Sequence, residues 1–158
     1  PEDLLQVYAP SLLAATGNRV RLAFFLNREN QPIQFNWTVT KKPSGSDATV
    51  TNSRGAVEES VDYEYVYDSE KVSSFKPDRA GEYRIRIAVE TFGADNLTGE
   101  VAAQAEHVMT LIAEGDDVSS GGGTCSVSSA AGGNGAGAIL FAISATLLLA
   151  VRRRRRVQ

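Results

Sequence analysis

Four stretches of the chain alternate strictly between apolar and polar side chains. Ile33, Phe35, Trp37 and Val39 interleave with Gln34, Asn36, Thr38 and Thr40. Tyr83, Ile85, Ile87 and Val89 interleave with Arg84, Arg86, Ala88 and Glu90. Val20, Leu22, Phe24 and Leu26 form a third set, and Val61, Tyr63, Tyr65 and Tyr67 a fourth. A period of two turns one face of a strand to a core and the other to water. Turn-forming clusters separate the sets: Thr16-Gly17-Asn18, Asn30-Gln31-Pro32, Lys42-Pro43-Ser44-Gly45-Ser46, Lys76 to Gly81, and Gly93-Ala94-Asp95-Asn96. Short strands with such turns between them predict an all-β antiparallel sandwich over residues 1–117. Glu100–Glu114 resists this pattern: its composition suits a helix, with Val101, Ala105, Val108 and Ile112 near helical spacing.

Beyond the sandwich the pattern changes twice. Residues 118–135 are Ser, Gly, Ala, Thr, Val, Asn and a single Cys, too little apolar surface to offset the entropy of ordering, which predicts a flexible linker. Residues 136–151 are apolar and uncharged, with no polar face. As a helix they would span roughly 24 Å at about 1.5 Å per residue. The hydrocarbon core is about 30 Å thick, so local thinning, snorkelling arginines and residues 130–135 would make up the difference. Five arginines, Arg152, Arg153, Arg154, Arg155 and Arg156, follow at once and could not enter a protein core. The expectation is a transmembrane helix over 136–151 with a cytoplasmic tail over 152–158, which places the sandwich outside. Export needs a signal peptide, and Glu2 and Asp3 rule out the first residues as one; the expectation is a mature form or the carboxyl end of a longer protein.

Charge sharpens this division. The formal net charge of −3 averages two opposed regions. Residues 1–117 carry all 19 acidic side chains and eleven basic ones, a balance of −8, whereas the arginine block carries +5. An acidic exterior domain argues against nucleic acid and against adhesion to anionic lipid. One Cys (Cys125) and one His (His107) exclude a disulfide scaffold and the usual Cys/His zinc site. They exclude a Cys–His catalytic pair as well, unless Cys125 reached back from its glycine spacer to His107. No phosphate-cradling or dinucleotide glycine motif follows a strand, and neither H-E-x-x-H nor G-x-S-x-G occurs. Glu58, Glu59, Asp62, Glu64, Asp68 and Glu70 cluster in sequence; they read as a solvated acidic face, since nothing specifies the cleft that a catalytic pair needs. Asp68, Asp78 and Asp95 are weak calcium candidates without a dense D-x-D-x-D loop. Tyr63, Tyr65 and Tyr67 would form a stacking platform for sugars if they faced outward, and a core ladder if they did not. Asn36-Trp37-Thr38 and Asn96-Leu97-Thr98 are formal glycosylation sequons. No cofactor is expected.

Two segments together resemble the polycystic-kidney-disease (PKD) type of immunoglobulin-like domain. One is Asn36-Trp37-Thr38-Val39-Thr40 with the Pro43-Ser44-Gly45-Ser46 turn; the other is Phe75-Lys76-Pro77-Asp78-Arg79-Ala80-Gly81-Glu82-Tyr83 with the strand after it. The resemblance covers about two-thirds of the chain. It implies a two-sheet β-sandwich in an extracellular setting, no activity, and Glu100–Glu114 as the last strand, bent. Trp37 then reads as the core anchor with its N–H on a neighbouring carbonyl. Tyr83 fits a tyrosine corner, Pro77 and Gly81 shape its loop, Asp78 caps that loop, and Phe75 belongs to the same motif.

The tail resembles a bacterial carboxyl-terminal sorting signal: Gly121-Gly122-Gly123-Thr124-Cys125, small residues, an apolar helix and an arginine cluster. The Cys-containing Synerg-CTERM and Myxo-CTERM types are most alike, the GlyGly-CTERM type next; Thr124 between the glycines and Cys125 is a departure. The resemblance implies an envelope sorting protease or transpeptidase that cuts near Gly121–Cys125, where a glycine run offers no side chains to obstruct a groove. The alternative is a plain single-pass anchor. The whole reads as a non-catalytic cell-surface module for spacing, display or adhesion. A second reading is a module that binds polysaccharide or a surface protein, which exposure of Tyr63, Tyr65 and Tyr67 would favour and their burial would sink.

Overall fold

The computed structural model describes residues 3–118, and every regular element in that range is a strand. In chain order they are β1 (Val7–Tyr8), β2 (Leu12–Ala15), β3 (Val20–Arg21), β4 (Phe25–Leu26), β5 (Ile33–Lys41) and β6 (Val50–Thr51). There follow β7 (Arg54–Val57), β8 (Ser60–Val61), β9 (Glu64–Tyr65), β10 (Ser74–Phe75), β11 (Gly81–Thr91) and β12 (Gln104–Glu114). Among the described residues no helix is long and apolar enough to cross a membrane. The expected linker, transmembrane helix and arginine tail lie outside the described residues.

One layer is a five-stranded sheet in the order β2-β12-β11-β5-β7. All its neighbours are antiparallel except β2, which lies parallel to β12 with Leu12 beside Leu111 and Ala15 beside Glu114. The alternating sets of β5 and β11 form its centre, with Ile33, Phe35, Trp37, Tyr83, Ile85, Ile87 and Val89 all buried. Glu100–Glu114 contributes the last strand, which holds register against β11 from Gln104 to Ala113 without a shift, after a turn at Ala102, where φ is +54°. Its helical look came from reading two faces as one. Met109, Leu111 and Ala113 point inward, whereas Val108 and Ile112 point outward.

The second layer is built from two smaller sheets, β1-β4-β9-β8 and β3-β10-β6. They are the two ends of one ladder along Val20–Leu26. Val20 and Arg21 pair with Phe75 and Ser74, the Leu22 amide donates to the Ser73 carbonyl at 3.0 Å, the Tyr65 amide donates to the Phe24 carbonyl at 3.1 Å, and Phe25 pairs with Glu64. One residue on one side, Ala23, therefore faces a long excursion, residues 66–72, on the other. Leu22, Phe24 and Leu26 are buried as their alternation predicts.

The fourth alternating set is not a strand. Asp62 and Tyr63 have φ of +49° and +66° and form the corner of a hairpin in which Val61 pairs with Glu64. Positive φ at both central residues is the geometry that matches the right-handed twist of flanking strands. Asp62 tolerates positive φ, but Tyr63 stands where such a corner usually has Gly, so the turn signal in the sequence is weak. Between the layers Phe24 is the hub, with ring centroids 5.5 Å from Tyr65, 5.7 Å from Phe35 and Tyr67, and 6.2 Å from Trp37.

Candidate functional site

The three tyrosines do not form a surface platform. Tyr65 and Tyr67 are buried and only Tyr63, at the hairpin corner, is exposed. This corrects the expected ligand surface, and the cause is the corner itself, which separates Tyr63 from the other two. The buried hydroxyls fasten the fold. Tyr67 donates to the Leu22 carbonyl at 2.7 Å, where the excursion has removed the cross-strand amide that would otherwise serve it. Trp37 is buried, and its indole N–H donates to the Tyr67 hydroxyl at 3.1 Å rather than to the carbonyl expected. Burial pushes the Tyr67 phenol up to about 12, against the opposing hydrogen bonds of Ser73 and Trp37. Tyr65 donates to the Gln31 carbonyl at 2.9 Å and accepts the Gln31 amide at 3.1 Å, and burial raises its pKa too.

The Phe75–Tyr83 motif lies at the end of the sandwich where the chain leaves it. Phe75 packs edge-on to Tyr83 with centroids 5.1 Å apart, and Pro77 is fully buried. The Tyr83 hydroxyl stands 2.9 Å from the Arg79 carbonyl and 3.0 Å from Asp78 Oδ1, and it accepts the Arg79 amide at 3.1 Å. Gly81 has φ +130°, and a Cβ there would meet Pro43 Cγ at 3.0 Å, so the position excludes a side chain twice over. Asp78 does not cap its own loop as expected; it reaches across to the neighbouring turn. Its carboxylate accepts the Ser46 hydroxyl and the Asp47 amide, the latter at 2.7 Å. Burial alone would raise the Asp78 pKa, but the hydrogen bonds from Ser46, Asp47 and Tyr83 outweigh it and hold the carboxyl at about 2.

The exit segment is bonded to the same loop. The Val118 amide donates to the Asp78 carbonyl at 2.8 Å, and the Gly17 amide donates to the Pro77 carbonyl at 2.7 Å. Asp117 accepts the Ala80 amide at 3.0 Å and pairs with Arg79 at 2.8 Å, while the Thr16 hydroxyl donates to the Asp116 carbonyl at 2.6 Å. Sequence reasoning named Asp78 and Tyr83 but missed Ser46, Arg79 and Asp117. Arg79 and Asp117 lie 38 residues apart, and no local pattern links them.

At the opposite end Arg28 and Asp95 form a buried, two-pronged ion pair. Arg28 Nε donates to Asp95 Oδ1 at 2.7 Å and Nη2 to Oδ2 at 2.8 Å; both side chains are 5% exposed or less. Arg28 also donates to the Asp3 and Asn27 carbonyls, and Asp95 accepts the Leu97 amide and the Thr98 hydroxyl. The Arg28 hydrogen bond is the main reason that the Asp95 carboxyl lies at about 2, with burial opposing it. Gln31 completes the junction by accepting the Asn96 amide at 2.8 Å. Asp95, a calcium candidate in sequence, thus has its carboxylate filled by a guanidinium and loop donors. Asp78 is filled likewise, and among the described residues no trio of His, Cys, Asp or Glu is placed to hold a metal ion.

The acidic cluster divides. Glu64 pairs with Arg21 at 2.6 Å, Asp68 with Lys71 at 3.4 Å, and Asp62 is in the hairpin corner. Glu58, Glu59 and Asp68 line a cleft of about 850 Å³ with Asn30, Val66 and Phe92. His107 packs against the exposed Tyr8 ring with centroids 5.0 Å apart and the planes tilted by 58°. The sorting residues Gly121, Gly122, Gly123 and Cys125 and the arginines Arg152 to Arg156 lie outside the described residues.

No protein-family model and no curated protein matches the chain. Its fold is similar to solved all-β domains at low identity. The YadV chaperone has a TM-score of 0.44 and 9% identity over 71% of this chain, and the chain spans about half (52%) of that protein's length. The seventh PapD-like domain of human CEP192 has a TM-score of 0.41 and 12% identity, over 74% of this chain and 89% of that one. The titin M1 domain has a TM-score of 0.32 and 14% identity, over 70% and 91%.

Proposed function

We propose that this chain is a non-catalytic display or spacer module of a bacterial cell surface, an immunoglobulin-like sandwich of the PKD type carried on a membrane-anchored, processed tail. Residues 136–151 halt in the membrane, Arg152–Arg156 stay inside, and an envelope protease or transpeptidase cuts near Gly121–Cys125. The observation that carries the reading is the bonded exit. Hydrogen bonds from Thr16, Arg79 and Ala80, and one from the Val118 amide to the Asp78 carbonyl, hold the chain as far as Val118, and the glycine motif begins three residues further on. Tension or orientation imposed on the tail would therefore reach the sandwich through the Phe75–Tyr83 loop. The polar groups inside the sandwich serve the same end: Tyr65 and Tyr83 join strands to loops, and Tyr67, Asp78 and Asp95 join one connecting segment to another.

The intact mass of the protein from envelopes of its native host tests this. A species ending near Cys125, with or without an added lipid or glycan mass, is expected. A mass that retains Arg156 and Gln158 in the membrane fraction would replace processing with a plain transmembrane anchor. Recovery of the full-length chain from the cytosol alone would overturn the surface reading.

A further inference from the structure

The outer face of the five-stranded sheet carries a cleft of about 810 Å³, and none of the tyrosines that the sequence singled out lines it. That volume lies within the range of roughly 300–1,000 Å³ typical of small-ligand sites. Register builds it from two cross-strand rows. Ala56, Gln34, Glu90 and Gln104 form one row; Arg54, Asn36, Ala88 and Glu106 form the next. Residues two apart on a strand share a face, so all eight side chains point away from the core. Ala56 and Ala88 are short and leave a trough, which the longer amide, carboxylate and guanidinium groups border. Phe92, 52% exposed, closes one end with a ring.

The polar groups are already aligned. Gln34 Nε2 donates to Glu90 Oε1 at 2.7 Å, and Gln104 Nε2 donates to Glu90 Oε2 at 2.6 Å. Glu90 thus fixes both amides while each keeps a second N–H and its carbonyl oxygen. Arg54 Nε donates to Asn36 Oδ1 at 3.3 Å, which leaves the Asn36 amide donors free to turn to the trough. Glu106 is compensated by Arg86, 3.6 Å away and outside the lining, which leaves Arg54 and Glu90 as one charge of each sign in the trough. An anion would meet two carboxylates, and a cation would meet the Arg54 guanidinium and a Glu90 whose oxygens both already accept an amide. An apolar chain would strip water from three amides and leave their remaining donors and acceptors unpaired. A hydroxyl both donates and accepts, as an amide does, and the C–H face of a sugar ring suits an aromatic edge.

We propose that the Gln34–Glu90–Gln104 and Asn36–Ala88–Glu106 rows form a binding cleft for a neutral oligosaccharide. Gln34, Asn36 and Gln104 read the hydroxyls, and Phe92 stacks beneath a ring. This site goes beyond the display role and does not depend on tail processing.

The test titrates the isotope-labelled full chain in mild detergent with cellohexaose, xylohexaose, mannohexaose and chitohexaose, and with oligogalacturonate as the anionic probe. The readout is the side-chain NH₂ resonances of Gln34, Asn36 and Gln104. At least one neutral probe is expected to shift all three. Ala88→Trp, which fills the trough from the solvent side, should abolish the shifts, and Gln104→Ala should weaken binding about tenfold. Should Ala88→Trp lose its dispersed spectrum, the exposed Gln104→Ala variant decides. No shift with any neutral probe, shifts that survive in folded Ala88→Trp, unchanged affinity in Gln104→Ala, or a response to oligogalacturonate alone would each overturn the proposal.

Discussion

The two ends of the sandwich solve one problem with opposite chemistry. Each joins distant loops through one aspartate whose carboxyl is held at about 2. At the exit, Asp78 is caged by a serine hydroxyl, a tyrosine hydroxyl and a backbone amide, without a cation among those donors. At the far end, Asp95 faces the buried guanidinium of Arg28 as well as an amide and a hydroxyl. A neutral cage loses only the bonds removed when it is cut. A buried ion pair also strands a charge. Similar acidities therefore conceal different sensitivities to substitution.

Asp95→Asn should be the most damaging change, because it leaves Arg28 buried without its counter-charge. The expected cost is about 3–5 kcal/mol, read as a lower denaturation midpoint of the full chain in mild detergent. Pairing the change with Arg28→Met should restore much of the loss, since the stranded charge goes with it. A double variant no better than Asp95→Asn would mean that the loop bonds of Arg28, rather than its charge, hold this end.

Acid strikes both ends. Each carboxyl is depressed from 3.8 to about 2 in the folded state, so the folded form binds fewer protons than the unfolded chain in that window. Its contribution is complete above the unfolded value and is lost as pH falls through 3.8 towards 2, at about 1.4 kcal/mol per pKa unit for each group. A melting temperature that falls over this window is expected, with a shallower fall in Asp78→Asn, which has lost one of the two titrations. Equal slopes in the two proteins would remove Asp78 from the account. At neutral pH, Asp78→Asn itself should cost about 1–3 kcal/mol, as hydrogen bonds from Ser46 and Asp47 weaken without an exposed charge.

Local pattern and distant pairing divide what could be read in the sequence. Trp37 and Ile85 announce their strands because alternation is set by the pleat alone, and both strands have neighbours on each side. Alternation groups Tyr65 and Tyr67 with Tyr63 because a hairpin corner at Asp62-Tyr63 preserves the spacing of a continuous strand while breaking its face. Gln104–Glu114 was hidden by composition, since alanine and glutamate favour helices when nothing opposes them; the tertiary ladder with β11 does. The Phe75–Tyr83 loop was legible as a motif, yet its partner Ser46 lies 32 residues from Asp78. Arg28 and Asp95 lie 67 residues apart and carry no local mark at all. The cleft likewise exists only through register, which no single strand encodes.

The smallest effect tests the exit itself. Arg79 and Asp117 are 40% and 51% exposed, so their attraction is screened and Asp117→Ala should cost only about 0.2–1 kcal/mol. The global midpoint would hardly move. The Asp117 carboxylate, however, also holds the Ala80 amide, one residue from the Arg79 amide that Tyr83 receives, and the next amide along, Val118, donates to Asp78. Its loss should therefore free the end of the chain before it unfolds the sandwich. Amide exchange at Val118 and Ala80 is expected to quicken in Asp117→Ala while Tyr83 and Leu111, buried in the central strands, keep their protection. If Val118 exchanged no faster, the exit would be held by its backbone bond alone. The charged pair would then be ornament on a strand end that the hydrogen bond to Asp78 already fixes.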